Sequence, residues 1–309
     1  MRSVTLSIDG HAVTVADGST VKEAAEAVGV DIPTLCWAEN LTPVNVCRIC
    51  VVELKGARTL IPACARRAEA GMEIETDSPR VRSSRKMVME LLLSSVDSST
   101  APELQAHARR YGADPGRFGP PAPAAALGER DHRQTGHHAP TNGALAETVH
   151  QARKVDNELY VRDYSKCITC YKCVEACGED AQNTFAIAVA GRGFDARIST
   201  EYDVGLPDSA CVYCGNCINV CPTGALMFKS EADLRDAGDW READQTTTRT
   251  ICPYCGVGCT LELTVQDNRI VRVMSPADGV VTEGNLCIKG RFGVTYVHGE
   301  APDLGRRER

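Results

Sequence analysis

Aromatic residues make up only 5% of the 309 residues, with two tryptophans and five phenylalanines. Large core side chains are scarce, and small units built without them need another source of order. No run approaches the ~20 consecutive apolar residues of a membrane-spanning helix. The start, Met1-Arg2-Ser3-Val4-Thr5-Leu6, lacks the apolar stretch of a secretory signal, so a cytoplasmic location is expected. Basic residues are not in excess, and the formal charge of −7 argues against nucleic-acid binding. No paired-carboxylate or nucleophile–base constellation stands out. Gly191 and Gly193 read as turn glycines, because they do not follow a strand in the way a dinucleotide fingerprint requires.

What the chain does have is cysteine, and all sixteen fall into four groups of four. The expected reducing compartment argues against eight disulfides. The first group, Cys36, Cys47, Cys50 and Cys64, reads C-x10-C-x2-C-x13-C. Its central pair and distant fourth cysteine follow the plant-type two-iron pattern, with a longer first gap; zinc is the alternative for a two-residue cysteine pair. The second group (Cys167, Cys170, Cys173, Cys177) and the third (Cys211, Cys214, Cys217, Cys221) each read C-x2-C-x2-C-x3-C. That is the bacterial two-cluster pattern, in which the fourth cysteine crosses to the other cluster. Cys167, Cys170, Cys173 and Cys221 are therefore expected to hold one four-iron cluster, and Cys177, Cys211, Cys214 and Cys217 another. Pro222 follows Cys221 as the pattern asks, whereas Gly178 follows Cys177. The fourth group, Cys252, Cys255, Cys259 and Cys287, reads C-x2-C-x3-C-x27-C; on spacing alone it suits a four-iron cluster or zinc.

These groups mark out an α+β chain of four segments. Residues 1–79 open with alternating strands at Val4–Ile8 and His11–Val15 around an Asp9-Gly10 turn. A helix from Val21, capped by Ser19 or Thr20 and closed by Gly29, comes next, with a later strand at Cys50–Leu54. This order predicts a β-grasp ferredoxin. Residues 80–158 begin with a helix after Pro79, its apolar face given by Val81, Met87, Val88, Leu91 and Leu92. From about residue 95 the composition is that of a surface linker with a short helix at Glu103–Tyr111. His132, His137 and His138 read as part of it. Residues 159–239 hold the two similar arrays, 44 residues apart, and predict a two-cluster ferredoxin. Residues 248–300 form a small β-rich module with alternating strands at Thr260–Val265 and Arg269–Val273 and a turn at Asp267-Asn268. Trp37, beside Cys36, is expected to pack against the fold and shield the first site.

The run Cys252-Pro253-Tyr254-Cys255-Gly256-Val257-Gly258-Cys259, followed by Gly284-Asn285-Leu286-Cys287-Ile288-Lys289-Gly290-Arg291, resembles the iron–sulfur module of molybdopterin oxidoreductases, above all the formate dehydrogenase group. The order of segments is similar to the amino-terminal third of an NAD-linked formate dehydrogenase alpha subunit. It is also similar to the large iron–sulfur subunit of NADH:quinone oxidoreductase. Val161–Cys167 and Ala190–Asp195 fit the same group. The resemblance implies a four-iron cluster at the fourth group and places Lys289, two positions after its last cysteine, between cluster and pterin. Such relatives carry a further cluster, held by one histidine and three cysteines, after the leucine-rich helix. Here Leu91-Leu92-Leu93 runs into Ser94-Ser95-Val96-Asp97-Ser98-Ser99, so that cluster is expected to be missing; His107 has no nearby cysteine to replace it. The relatives also continue through a pterin-binding region, whereas this sequence ends at Arg309.

The resemblance therefore implies one [2Fe-2S] and three [4Fe-4S] clusters, with molybdopterin only in a partner. The chain would relay electrons between a molybdopterin catalytic subunit and a flavin/NAD diaphorase subunit, without being catalytic alone. The alternatives are an iron–sulfur subunit of a NADH dehydrogenase or hydrogenase complex, and a zinc-stapled scaffold.

Overall fold

The computed structural model describes residues 2–120, 146, 148–149, 151–193 and 196–298. The three linker histidines His132, His137 and His138, and Phe194-Asp195, lie outside them.

The first unit is a mixed sheet over one short helix. β1 (Ser3–Ile8) and β2 (His11–Ala16) form an antiparallel hairpin. Its two turn residues, Asp9 and Gly10, both have positive φ (47° and 82°), the backbone that matches strand twist in a two-residue turn. Helix α1 (Val21–Glu26) starts at Thr20, whose side chain accepts from the Glu23 N–H while the Glu23 carboxylate accepts from the Thr20 N–H. This reciprocal pairing satisfies two otherwise orphaned donors. The helix buries Val21, Ala24 and Ala25 completely. β3 (Val51–Leu54), β4 (Ile61–Pro62) and β5 (Glu73–Glu75) complete a sheet of order β2-β1-β5-β3-β4, in which β1 and β5 are parallel. Leu6, Ile8, Val52 and Ile74 meet the helix in a core that also contains Cys50 and Cys64.

Helices α2 (Pro79–Ser95) and α3 (Pro102–Tyr111) form a layer between this unit and the next. The buried stripe of α2 is Val81, Arg85 and Met89, one turn apart, while Leu91 is half exposed. The face is rotated from the apolar pattern because two charged residues find partners inside. Arg85 donates to the Tyr111 hydroxyl (2.8 Å) and to Val51 O (2.9 Å), and Glu90 accepts from Arg117 (2.8 Å). The stretch beyond residue 95 contributes core as well as surface. Ala101 and Leu104 are fully buried and pack with Leu35, Ile49 and Met89, against which Cys47 and Ile168 also lie.

The third unit is pinned at its ends by β6 (Tyr160–Arg162), which pairs antiparallel with a later strand. Between them come α4 (Lys172–Cys177), the hairpin β7 (Ala188–Ala190) and β8 (Arg197–Ser199), and the one-turn helix α5 (Asn216–Asn219). The partner strand β9 (Leu226–Phe228) and helix α6 (Lys229–Asp236) follow. Gly191, at the β7–β8 turn, has φ 73°. The fourth unit is an antiparallel sheet of β10 (Thr246–Ile251), β11 (Thr260–Gln266) and β12 (Arg269–Met274), followed by helix α7 (Ile288–Phe292). Asp267 and Asn268, both with positive φ, make its second turn. Among the described residues no helix is long and apolar enough to cross a membrane.

A buried ion pair braces the third unit. Arg162, 1% exposed, meets Asp156, whose carboxylate also accepts from the Leu206 N–H at 2.9 Å. Burial alone would raise the Asp156 carboxyl, but the Leu206 N–H, Asn157 and Arg162 hold it below its ordinary 3.8. A carboxyl lowered on folding stabilises at pH above its unfolded value and loses that contribution as pH falls through the folded one. D156A leaves the guanidinium buried without a counter-charge and is expected to cost on the order of 3 kcal/mol, read as a lower thermal midpoint at pH 7. Compared with D156N, the wild type keeps its full advantage above pH 3.8 and loses it under more acid conditions.

Candidate metal centres

All sixteen cysteines are free thiols, and the fold gathers those of the second and third groups into two sets of four, with one exchange. The two central arrays show how. In the first, Thr169 and Tyr171 have positive φ (49° and 66°); in the second, Tyr213 and Gly215 do (55° and 72°). These are equivalent positions of the repeat, two and four residues after the first cysteine. The left-handed backbone curls each array around its sulfurs and turns amides inward: Thr169 N–H donates to Cys167 Sγ and Tyr213 N–H to Cys211 Sγ, each at 3.4 Å. Side chains in this region of φ are costly and persist where the surroundings over-determine them. At Gly215 a side chain is also excluded by space, since a Cβ would lie 2.8 Å from Arg291 Cγ.

Two cavities result. One is lined by Cys167, Cys170, Cys173 and Cys221. The other is lined by Cys177, Cys211, Cys214 and Cys217. Each thus takes three thiols from one array and the last from the other. Their remaining walls are largely apolar, with Ile198 and Leu226 at the first and Ile187 and Leu206 at the second. Gly178, where the pattern expects proline, donates its N–H to Val174 O (2.8 Å) and Glu175 O (3.0 Å) to close α4; proline has no N–H to give.

Burial pushes Cys167 and Cys170 up to about 12, and Cys173 and Cys217 well above the ordinary thiol value. Thiols in such surroundings ionise only when a cation meets them, and metal ligands must be thiolates. The donor set and the apolar walls fit a cationic iron–sulfur core. Tyr160, 2% exposed, has its hydroxyl 3.2 Å from Cys211 Sγ. Burial, then the Cys217 and Cys211 thiols, push that hydroxyl far above its usual range. It stays protonated, and against a thiolate at Cys211 it would be the donor.

The first group sits where a loop of the first unit enters its core. Cys36, Cys50 and Cys64 are buried, and Cys50 and Cys64 sulfurs are 3.3 Å apart. Hydrogen bonds from the Cys47 and Cys64 thiols hold Cys36 down to about 2, while Cys47 and Cys64 are raised in return. Trp37 packs on this core with the Lys22 ammonium 3.7 Å from its ring centroid. The fourth group is more open: Cys252 and Cys259 are buried, Cys255 and Cys287 exposed. Lys289 is exposed on α7. His107 meets Glu103 (3.7 Å). Where the extra histidine–cysteine motif of the resembling proteins would fall, Lys166 pairs with Asp97 and Thr100 donates to Thr223 O (2.7 Å).

The four groups follow one another through the molecule. The charge of Cys36 is felt at Cys170. The two cavities share α4, which gives Cys173 to one and Cys177 to the other, and Leu226 of β9. Between the third and fourth groups stand Asn216, which accepts from Leu286 N–H (2.9 Å), and Asn219, which accepts from Ser275 N–H (3.1 Å). Sequence reasoning assigned no role to these asparagines, to Tyr160 or to Arg291. The only written signal is that two polar residues occupy a helix of four inside a cysteine array.

Residues 1–79 match the family described as 2Fe-2S iron-sulfur cluster binding domain, residues 166–225 the 4Fe-4S dicluster domain, and residues 245–299 the Molybdopterin oxidoreductase Fe4S4 domain. An NADH-quinone oxidoreductase subunit of Rhizobium meliloti is 32% identical over 301 residues, which is 95% of this chain and 31% of that protein. NADPH-Fe(3+) oxidoreductase subunit alpha of Geobacter sulfurreducens is 34% identical over 309 residues, 97% of this chain and 32% of that one. The chain therefore spans about a third of the length of these curated relatives. Among solved structures, a chain of an NAD+-reducing [NiFe]-hydrogenase in the H2-reduced state superposes with a TM-score of 0.59 at 27% identity, covering 74% of this chain and 88% of that one. This chain is similar to the iron–sulfur region of that NADH-quinone oxidoreductase subunit, of the NADPH-Fe(3+) oxidoreductase alpha subunit and of formate dehydrogenase-like molybdopterin oxidoreductases, and it carries domains of the 2Fe-2S and 4Fe-4S classes.

Proposed function

We propose that this chain is a multi-cluster electron-transfer subunit of a cytoplasmic dehydrogenase complex. The observation that carries the reading is the pair of cavities, each lined by four thiols drawn crosswise from two arrays. Cys167, Cys170, Cys173 and Cys221 hold one [4Fe-4S] cluster; Cys177, Cys211, Cys214 and Cys217 hold a second. Cys252, Cys255, Cys259 and Cys287 hold a third, a reading supported by the Fe4S4 family match that encloses them. Cys36, Cys47, Cys50 and Cys64 hold a [2Fe-2S] cluster; the mixed sheet crossed by α1 and the match over residues 1–79 support a β-grasp ferredoxin there. When bound, these groups supply reversible one-electron storage. The chain's own part is to space them, to shield three of them and to leave the last open.

That openness bears on the partner. Around Cys255 and Cys287 stand the exposed apolar side chains of Ile251, Val257, Val281 and Ile288. A molybdopterin catalytic subunit of the formate dehydrogenase type would cover this face, with Lys289 toward its pterin, and a flavin/NAD subunit would meet the opposite end. A second reading, an iron–sulfur subunit of a hydrogenase or NADH dehydrogenase complex, is favoured by the superposition on 88% of a hydrogenase chain. Isolation of the native complex separates the two: a pterin-containing subunit supports the first, and a nickel-containing or quinone-reducing partner without pterin the second.

Protein purified without oxygen is expected to contain about fourteen iron atoms per chain and to give one two-iron and several four-iron paramagnetic signals on dithionite reduction. A colourless protein loaded with zinc overturns the reading. C221S is expected to disturb the signal of the cluster held by Cys167, Cys170 and Cys173, and C177S that of the other, the reverse of what uncrossed sites would give. Y160F removes a donor that favours the reduced, more negative cluster. It is expected to lower the reduced-to-oxidised ratio of one four-iron signal roughly three- to tenfold at fixed potential, up to about 59 mV.

A further inference from the structure

Arg291 is 0% exposed, yet every hydrogen bond from its guanidinium ends on a neutral group. Nη1 donates to Asn219 Oδ1 (2.7 Å) and Val273 O (3.0 Å), Nη2 to Asn216 Oδ1 (3.1 Å) and Nε to Cys214 O (3.4 Å). Among the described residues no carboxylate pairs with it. The contrast with its neighbours is direct: the buried Arg162 has Asp156, and Arg272 has Glu231. A buried charge is costly unless something of opposite sign balances it. Neutral carbonyl and amide oxygens orient the guanidinium without cancelling its charge.

We propose that Arg291 is the built-in counter-charge of the site formed by Cys177, Cys211, Cys214 and Cys217, and that it holds a cluster there at a higher reduction potential than the thiolates alone would set. The inference rests on that site binding iron. A four-thiolate cluster is a net anion in both redox states and gains one more negative charge when a one-electron reductant such as dithionite reduces it. A fixed positive charge in a poorly screened interior favours the more negative state. An arginine guanidinium stays protonated at neutral pH, so the charge is permanent. The close approach is built into the backbone, because Gly215 leaves room for the Arg291 side chain where its repeat counterpart is Tyr171. Arg291 also belongs to α7, which follows directly on Cys287, and it crosses from the fourth unit into the third. It is a positioning residue that acts through the cluster environment.

The test is a potentiometric titration followed by electron paramagnetic resonance on anaerobic full-length protein, with iron content measured alongside. R291Q is expected to lower the reduced-to-oxidised ratio of one four-iron cluster about tenfold or more at fixed solution potential, leaving the two-iron signal in place. R291K, which keeps the charge and loses the fork, is expected to stay within about threefold of wild type. Unchanged potentials in an iron-replete R291Q, or equal shifts in both variants, overturn the proposal, the second outcome marking Arg291 as packing only. Should R291Q fail to load iron, N216D decides: it keeps the acceptor for Arg291 and Leu286 while placing a carboxylate on the guanidinium. A lowered potential of the same cluster supports the proposal, and an unchanged one overturns it. Wild-type protein without iron would instead remove the reading on which the inference rests.

Discussion

The crossed supply of thiols governs this molecule. Neither central cavity is complete until both arrays are in place, because Cys221 belongs with Cys167, Cys170 and Cys173, and Cys177 with Cys211, Cys214 and Cys217. The strands β6 and β9 bring the two ends of the unit together, and α4 and α5 pack across its middle. The other units then attach to the same elements. Helix α7 reaches α5 through Arg291 and Asn219, and the first unit meets the turn after α4 through Thr42, which bonds to Asp180 at 2.6 and 2.9 Å.

This arrangement explains how a chain so poor in aromatic residues organises its core. Four of the fifteen it has gather in one place. Tyr160 stacks on Phe292 with ring centroids 6.0 Å apart, Phe228 lies against Phe292 at 5.5 Å, and Tyr213 meets Tyr160 edge-on. All four surround the third group and seal the boundary with the fourth unit. The core of the third unit contains or touches six of its eight cysteines, Cys170 and Cys214 excepted. Packing and metal binding are thus the same contacts counted from two sides, and in such proteins ligation free energy is folding free energy.

Much of this was legible in the sequence, and the reasons differ by element. The first hairpin was readable because Asp9-Gly10 accepts the two positive φ angles its turn requires. The start of α1 was readable because Thr20 and Glu23 stand three residues apart. Short gaps between cysteines confine where the sulfurs can point, and on that ground spacing already suggested the crossed lining of the two central cavities. The buried face of α2 was not: periodicity counts Leu91 as core and Arg85 as surface, and only the distant Tyr111 hydroxyl and Val51 carbonyl reverse that order. Nor was Arg291, whose burial depends on Asn216, Asn219 and the absent side chain of Gly215, three positions more than seventy residues away.

The loop that follows Cys36 has a wider reach than its length suggests. Leu41 is clamped between Ala176 and Val220, Thr42 is tied to Asp180, and Asn40 donates to Glu283 O in the segment before Cys287. Three units are keyed by one stretch of chain that also carries ligands of its own. On the reading proposed above, lengthening this loop would shift the first and fourth units against the third, and with them the outer gaps of the row, while the crossed thiols would still fix the middle one. Insertions at the β7–β8 hairpin would leave these contacts untouched.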